Sequence, residues 1–278
     1  MSEPWRTRRV GAASVTIVNV GDIQGALSGW MDEPPDGWPA PYAARLTQVQ
    51  QFPIHCVHIG LPGLSVLVDA GMFDAPSPDS PYFIPAYQPP PPFQKQLAQA
   101  GVRLENISHV VITHAHGDHF NGLTMDGRPV FPNARCYLGR ADWERAEMQK
   151  ALQSPQSTES RTFGVLAHAG LMEAVEGDRA LGDGVQIIAA PGETPGHQIV
   201  RVHSEGQTLY CVGDLYHDPV EADQPTLMVR WADPKATLAS RRALAEAALA
   251  ENALLVATHI PAVGRLRDTG AGVVWAAA

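Results

Sequence analysis

Six consecutive residues, His114-Ala115-His116-Gly117-Asp118-His119, carry three imidazoles and a carboxylate directly after the apolar run Val110-Val111-Ile112. These are metal-ligand types. His114 and His116 stand two apart, so on an extended backbone both side chains leave one face and reach one ion. Asp118 and His119 are neighbours and diverge on a strand. They converge only if the chain turns, which Gly117 and Gly122 permit. Mixed imidazole and carboxylate ligation suits zinc, and also iron, manganese or cobalt.

Four ligands in one segment exceed what one zinc takes from a single stretch, and two of them are poorly placed to join the first pair, so a second ion is implied. Further ligand candidates stand at the ends of apolar runs: His197 in Glu193-Thr194-Pro195-Gly196-His197, Asp214 in Val212-Gly213-Asp214, and His259 in Ala257-Thr258-His259. Each can sit at one rim of a sheet. His55, His58, His109, His168 and His203 lie in strand or helix patterns without partners and read as structural. His217, three residues past Asp214, is near enough to point into the same groove.

The elements that must hold these residues alternate between strand and helix. Strands are expected over 15–20, over 54–59 and 64–68 as a hairpin turned at Leu61-Pro62-Gly63, and over 107–113 leading into the His cluster. Further strands are expected over 135–138, 185–189, 198–203 and 208–212, with Glu205-Gly206 turning a second hairpin, and over 254–258. Helices are expected over 93–100, 141–152, 162–175 and 235–251. This rhythm predicts a layered α/β protein, read as a single domain over 1–278 without a fixed-period repeat. Two stretches, 31–53 and 73–93, are rich in proline and aromatics. Residues 76–92 alone hold eight of the 24 prolines, a composition that opposes helix and interior strand. Such loops act as substrate lids or as subunit contacts, and a homodimer is one expectation.

At 278 residues the chain can bury a sizeable core. A net charge of −9 without a basic stripe disfavours nucleic acid as a partner. Cys56, Cys136 and Cys211 form no CxxC pair and read as buried reduced thiols. No apolar run reaches membrane-span length. Arg8-Arg9 ahead of 12–20 reads as part of a first strand rather than an export signal, which makes a cytoplasmic protein the expectation.

The ordered series HxHxDH, Gly-His, Gly-Asp and a final His resembles the metallo-β-lactamase superfamily over about residues 15–265. That resemblance implies a four-layer αββα sandwich, a mixed α/β (α+β) fold, with a dinuclear site in the groove between two sheets. Carried onto this sequence, His114, His116 and His197 hold one metal, Asp118, His119 and His259 the other, and Asp214 bridges. Asp69, in Val68-Asp69-Ala70-Gly71, matches the strand-end aspartate that orients the His loop. Two divalent ions, zinc foremost, then supply a hydroxide nucleophile, with Asp118 as a metal ligand able to carry a proton and Tyr216 or His217 as proton donor to the leaving group. The bridging Asp214 departs from true β-lactamases, where cysteine or serine is usual. Gly213-Asp214-Leu215-Tyr216-His217, Val229-Arg230-Trp231-Ala232-Asp233-Pro234 and Thr258-His259-Ile260-Pro261 are similar to the methyl-parathion-hydrolase and quorum-quenching lactonase branch. That branch implies a small-molecule lactone, aryl ester or phosphotriester substrate. His217 occupies the place where homoserine lactonases carry a tyrosine. Alternatives are an iron-dependent redox member such as a persulfide dioxygenase, a glyoxalase II-like thioesterase, and a non-catalytic metal-binding protein.

Overall fold

The computed structural model describes residues 5–72, 91 and 93–278. Their strands fall into two seven-stranded sheets and one small ribbon. The first sheet holds β1 (Trp5–Val10), β2 (Ala13–Gly25), β3 (Gln50–Leu61), β4 (Leu64–Val68) and β5 (His109–Val111). Beyond the ribbon β6 (Thr124–Met125) and β7 (Arg128–Pro129), it is completed by β8 (Arg135–Gly139) and β9 (Met172–Val175). The second sheet runs in chain order through β10 (Arg179–Gly182), β11 (Val185–Ala189), β12 (Gln198–Ser204), β13 (Gln207–Gly213), β14 (Leu254–Ala257), β15 (Gly264–Asp268) and β16 (Val273–Ala277).

Alternation along the strands explains why the sheets stack. Val57, Ile59, Val66, Val68 and Val111 of the first sheet share a buried cluster with Val200, Val202, Leu209, Cys211, Leu254 and Val256 of the second. The residues between them face the other way. Cys56, Leu67 and Val110 pack beneath helices that include α2 (Phe93–Gln99), while Tyr210, Val212 and Leu255 pack beneath Leu244 and Ala248. A strand flanked by apolar material on both faces loses its polar alternation, as these sequences do. The result is four layers, helix on sheet on sheet on helix, the αββα sandwich that the resemblance implied. Cys56, Cys136 and Cys211 are buried free thiols.

The short helices are α1 (Ala43–Thr47), α3 (Gly117–Phe120), α4 (Arg140–Trp143), α5 (Ala146–Leu152), α6 (Val165–His168) and α7 (Val220–Asp223), ahead of the long α8 (Pro234–Ala250). In α8, Asp233 caps the N-terminus by accepting from the Ala236 N–H, and Thr237, Arg241, Leu244 and Ala248 form its buried stripe.

Several expectations need correction. The helix expected over 141–152 is broken between α4 and α5, where Arg145 is extended. Asp142 is fully buried there and binds other loops, so tertiary contacts override helix propensity. The helix expected over 162–175 is a π-helical turn (Ser160–Gly164) followed by α6, after which the chain reverses and becomes the edge strand β9. The stretch 31–53 contains α1 and the start of β3, including Pro53 opposite Asp22. Most of 73–93 lies outside the described residues. Arg8 and Arg9, expected in the first strand, lie in the separate strand β1, and strands β6, β7, β10, β15 and β16 were not anticipated. No described helix is long and apolar enough to cross a membrane.

His58 lies within the first sheet, its Nε2 2.9 Å from Ser65 Oγ. Burial lowers its imidazole from the ordinary 6.5 to about 4. Between those values the unfolded chain binds a proton that the folded chain does not, so this site's stabilising contribution is present above pH 6.5 and is lost as pH falls towards 4. Replacing His58 with Gln is expected to remove up to one proton, about 1.4 kcal/mol per pH unit, from the slope of unfolding free energy against pH in that window. Denaturant titrations inside and above the window measure the slope. An unchanged slope would show that His58 is charged in the folded state.

Candidate metal centre

The parallel pairs β4–β5, β5–β8 and β13–β14 all end at one edge of the sandwich. Asp69 follows β4, Thr113 to His119 follow β5, Asp142 follows β8, Asp214 follows β13 and His259 follows β14. His197 directly precedes β12, which is antiparallel to β13 and therefore begins at the same edge. Loops at strand ends thus bring residues nearly 200 positions apart into one groove.

Within the His loop the chain is extended at His116 and then turns into α3. His114 Nε2 and His116 Nδ1 converge to 2.8 Å. Helical turning, rather than a positive φ at Gly117, folds Asp118 and His119 back. Gly122 matters for space, because a Cβ there would collide with the Ala70 carbonyl.

Each histidine deeper in the groove is fixed through one ring nitrogen. His119 Nδ1 donates to Asp69 Oδ2 at 2.9 Å, His197 Nδ1 to the Ala190 carbonyl at 3.0 Å, and His259 Nδ1 to the Pro53 carbonyl at 2.9 Å. Such bonds turn each Nε2 towards the groove, as metal-binding imidazoles require, and that of His197 meets the Asp214 N–H. Asp69, at a φ of 59°, also accepts from the Thr113 N–H at 2.7 Å and from Thr113 Oγ1 at 2.9 Å. Asp142 ties two loops together by accepting from the Ala115 N–H, the Gly196 N–H and Thr194 Oγ1.

Two groups of donors result. His114, His116, Glu193 and Asp214 form one, and Asp118, His119 and His259 the other, with ligand atoms inside each group all within 4.8 Å of one another. Asp214 Oδ2 links them, lying 3.8 Å from His114 Nε2 and 3.3 Å from both His119 Nε2 and His259 Nε2. His197 stands beside the first group rather than within it: its ring is 5.2 Å from that of His114, and its Nε2 accepts from the Asp214 N–H at 3.3 Å. Glu193 takes the fourth place, which the residue pattern did not single out. Its only sequence signal is an acid inside the Pro- and Gly-bounded turn that ends on His197.

His217 does reach the groove. Its Nε2 lies 3.5 Å from Asp214 Oδ2 and 3.9 Å from Glu193 Oε1, and its ring stacks on His259. Tyr216 does not. Its ring is buried between Trp275 and the Arg241 guanidinium on the far face of the second sheet, so it is no candidate proton donor. Adjacent residues leave the chain on opposite sides, and the structure selects His217. Trp30, at the head of the 31–53 stretch, stands 6.2 Å from His217 and 6.4 Å from His259 and packs on Phe52, so this stretch walls the groove. Of the remaining histidines, His55, His58, His109 and His203 each bond a carbonyl or hydroxyl elsewhere, and His168 is exposed at the end of α6.

The electrostatics fit a cation. Burial alone would lower His119 and His259, yet Asp214 and Asp118 raise His119 well above the ordinary imidazole value and His259 to about 9. Burial opposes ionisation of Asp118, but His119 and His259 hold it down at about 2. Burial pushes Glu193 up to about 7. His119 Nε2 and Asp214 Oδ1 are buried without a hydrogen-bond partner among the described residues. Unpartnered donor atoms amid clustered carboxylates suit divalent ions, which replace the protons that otherwise balance them.

The sequence model of the metallo-β-lactamase superfamily matches residues 49–259. The chain belongs to this superfamily. An N-acyl homoserine lactonase of Bacillus cereus is 25% identical over 113 residues, 41% of this chain and 40% of that protein. The chain spans about two fifths of the length of the curated relatives it matches first. Among solved structures, the hydrolase AbOPH of the β-lactamase superfamily superimposes with a TM-score of 0.78 at 18% identity, covering 100% of this chain and 98% of the other. AidC, a dizinc quorum-quenching lactonase, gives 0.77 at 20% identity, covering 99% and 97%. These likenesses show the superfamily fold.

Asp69→Asn keeps the shape of the residue that holds His119 and Thr113 and removes its charge. Metal affinity is expected to fall roughly 10- to 100-fold while the protein stays folded. Chelator competition followed by circular dichroism checks both, and unaltered affinity would mean that the His loop holds its geometry without Asp69.

Proposed function

We propose that the chain is a dinuclear metal-dependent hydrolase that opens lactones or cleaves related carboxylic and phosphoric esters. The observation that carries this reading is the pair of ligand groups meeting at one buried carboxylate oxygen, Asp214 Oδ2. His114, His116, Asp214 and either His197 or Glu193 would hold one ion, and Asp118, His119, His259 and Asp214 the other. Zinc suits this donor set best, and iron, manganese or cobalt also fit. When bound, such ions lower the pKa of water and polarise a carbonyl or phosphoryl oxygen.

The chain's own residues supply the rest. Asp118 is the most accessible carboxylate of the pair, 21% exposed against 5% for Asp214, and is positioned to take a proton from incoming water. Burial alone would lower the His217 imidazole, but the bond to Asp214 and the charges of Glu193 and Glu221 raise it well above the ordinary value. Its Nε2 faces the groove, where it can donate to a leaving alkoxide. Trp30, backed by Phe52, offers an apolar wall on that side. The lactonases among the relatives agree with a lactone or a related ester as substrate.

Metal-loaded protein is expected to hydrolyse members of a panel of acyl-homoserine lactones, simple lactones, aryl esters and phosphotriesters, with loss on chelation and recovery on metal addition. Asp214→Ala is expected to lower kcat/KM by at least about a thousandfold. Elemental analysis is expected to give two ions per chain. A single iron with an inert panel would overturn this reading and favour the redox alternative.

A further inference from the structure

A cavity of about 390 Å³ adjoins the centre, with His116 and Glu193 at its inner end. Pro191, Pro195 and the indole of Trp231 give it apolar walls, and Arg145 brings the cation. Trp231 is 45% exposed, one of few large apolar side chains facing solvent among the described residues. Its position is fixed, because Nε1 donates to Glu193 Oε1 at 2.6 Å and the ring meets His116 edge-on at 6.2 Å. An exposed indole tethered by its edge to a buried carboxylate presents a ready apolar surface.

Both carboxylates of the cavity are engaged. Glu193 receives the Trp231 N–H, and Asp233 receives the Ala236 N–H at 2.8 Å as the cap of α8. Arg145 is not so engaged. It stands at the break between α4 and α5, and its Nε is buried without a hydrogen-bond partner among the described residues. The nearest carboxylate oxygen, Asp142 Oδ1 at 4.0 Å, already accepts from the Gly196 N–H, and Oδ2 accepts from Ala115 and Thr194. Nε is enclosed and faces Asp142, whereas Nη1 and Nη2 make no hydrogen bond among the described residues, and a guanidinium recognises a carboxylate through two parallel bonds from such a pair.

We propose that this cavity is a substrate subsite that takes the acyl part of the ester, with an apolar chain against Trp231 and a distal carboxylate on Arg145. This deepens the hydrolase reading and rests on it. The substrate class it selects is a half-ester of a dicarboxylic acid, or a lactone bearing a carboxylate, in preference to a wholly neutral ester.

The test uses the metal-loaded full chain and a matched pair, the mono-para-nitrophenyl ester of glutaric acid and para-nitrophenyl pentanoate. The ratio of their kcat/KM values is expected to favour the glutarate ester about tenfold or more, through KM. Arg145→Gln is expected to bring the ratio to about one, and Arg145→Lys to restore part of it. Calorimetric binding of glutarate, independent of turnover, is expected to weaken about tenfold in Arg145→Gln and to recover partly in Arg145→Lys. A wild-type ratio at or below one, or a ratio unaltered in Arg145→Gln, overturns the subsite. If neither ester is cleaved, the glutarate affinities decide it: a loss in Arg145→Gln upholds the subsite while the hydrolase reading fails, and equal affinities overturn both.

Discussion

Asp214 Oδ2 lies within 4 Å of nitrogen atoms from four imidazoles, those of His114, His119, His217 and His259, in a groove where the carboxylate is 5% exposed. Removing so much charge from water is unfavourable unless the charges compensate one another. Compensation demands position, because an imidazole displaced by an ångström leaves both partners desolvated and unpaired. Much of the edge of the fold answers to that demand. Gly213, at a φ of 54°, admits no side chain, since a Cβ would press on Thr113 and on His197 Nε2 at 2.9 Å. The last residue of β13 can therefore bring Asp214 against the His loop of the other sheet.

The two sheets are held in register by more than their shared apolar core. Gln198 at the start of β12 donates to the Ile112 carbonyl at 2.9 Å, and its own N–H donates to the Thr113 carbonyl at 2.8 Å. Gly139 and Gly196 approach so closely that a Cβ on Gly139 would overlap the Gly196 carbonyl. His55 and Thr258 add a backbone bond between β3 and the loop after β14, at 3.1 Å. These contacts all lie on the edge that carries the ligands. The sandwich is pinned where its geometry matters for chemistry, and the remainder is aliphatic side chains whose packing tolerates more variation.

How far the site was legible in the sequence follows from what each residue must do locally. The His114–His119 cluster, His197, Asp214 and His259 stand out because several ligand types adjoin apolar runs, and a sheet rim is where such runs end. Both hairpins were legible for the same reason: Pro62-Gly63 and Glu205-Gly206 carry turn chemistry, and Glu205 and Gly206 indeed have φ of 49° and 73°. Glu193 and Asp142 were not legible. A lone acid in a polar loop reads as solvated, and only the fold shows that both are buried, 5% and 0% exposed. Asp142 also explains the broken helix, since its side chain is committed to Ala115, Thr194 and Gly196 before helix propensity has a say. Tyr216 and His217 differ by one position, and a sequence without a resolved backbone direction cannot decide which of two neighbours faces the groove.

A second set of charges lies behind the first, and it explains why His217 rather than Tyr216 is the residue held in place. Glu221 is fully buried and receives Arg241 at 2.6 Å through Oε1, while Oε2 receives the backbone N–H groups of His217 and Asp218. The same Oε2 lies 3.6 Å from His217 Nδ1. Arg241 in turn donates to the Leu215 and Leu227 carbonyls at 2.8 Å and 2.6 Å, and Asp218 pairs with Arg45 of α1. A buried pair of this kind adds little stability over an apolar equivalent. Its effect is orientation: with its backbone N–H bonded to Glu221 and Nδ1 facing that carboxylate, the imidazole presents Nε2 to Asp214 and Glu193. Arg241 also covers the Tyr216 ring at 5.0 Å. One guanidinium therefore secures Tyr216 in the core beneath α8 and, through Glu221, secures His217 in the groove.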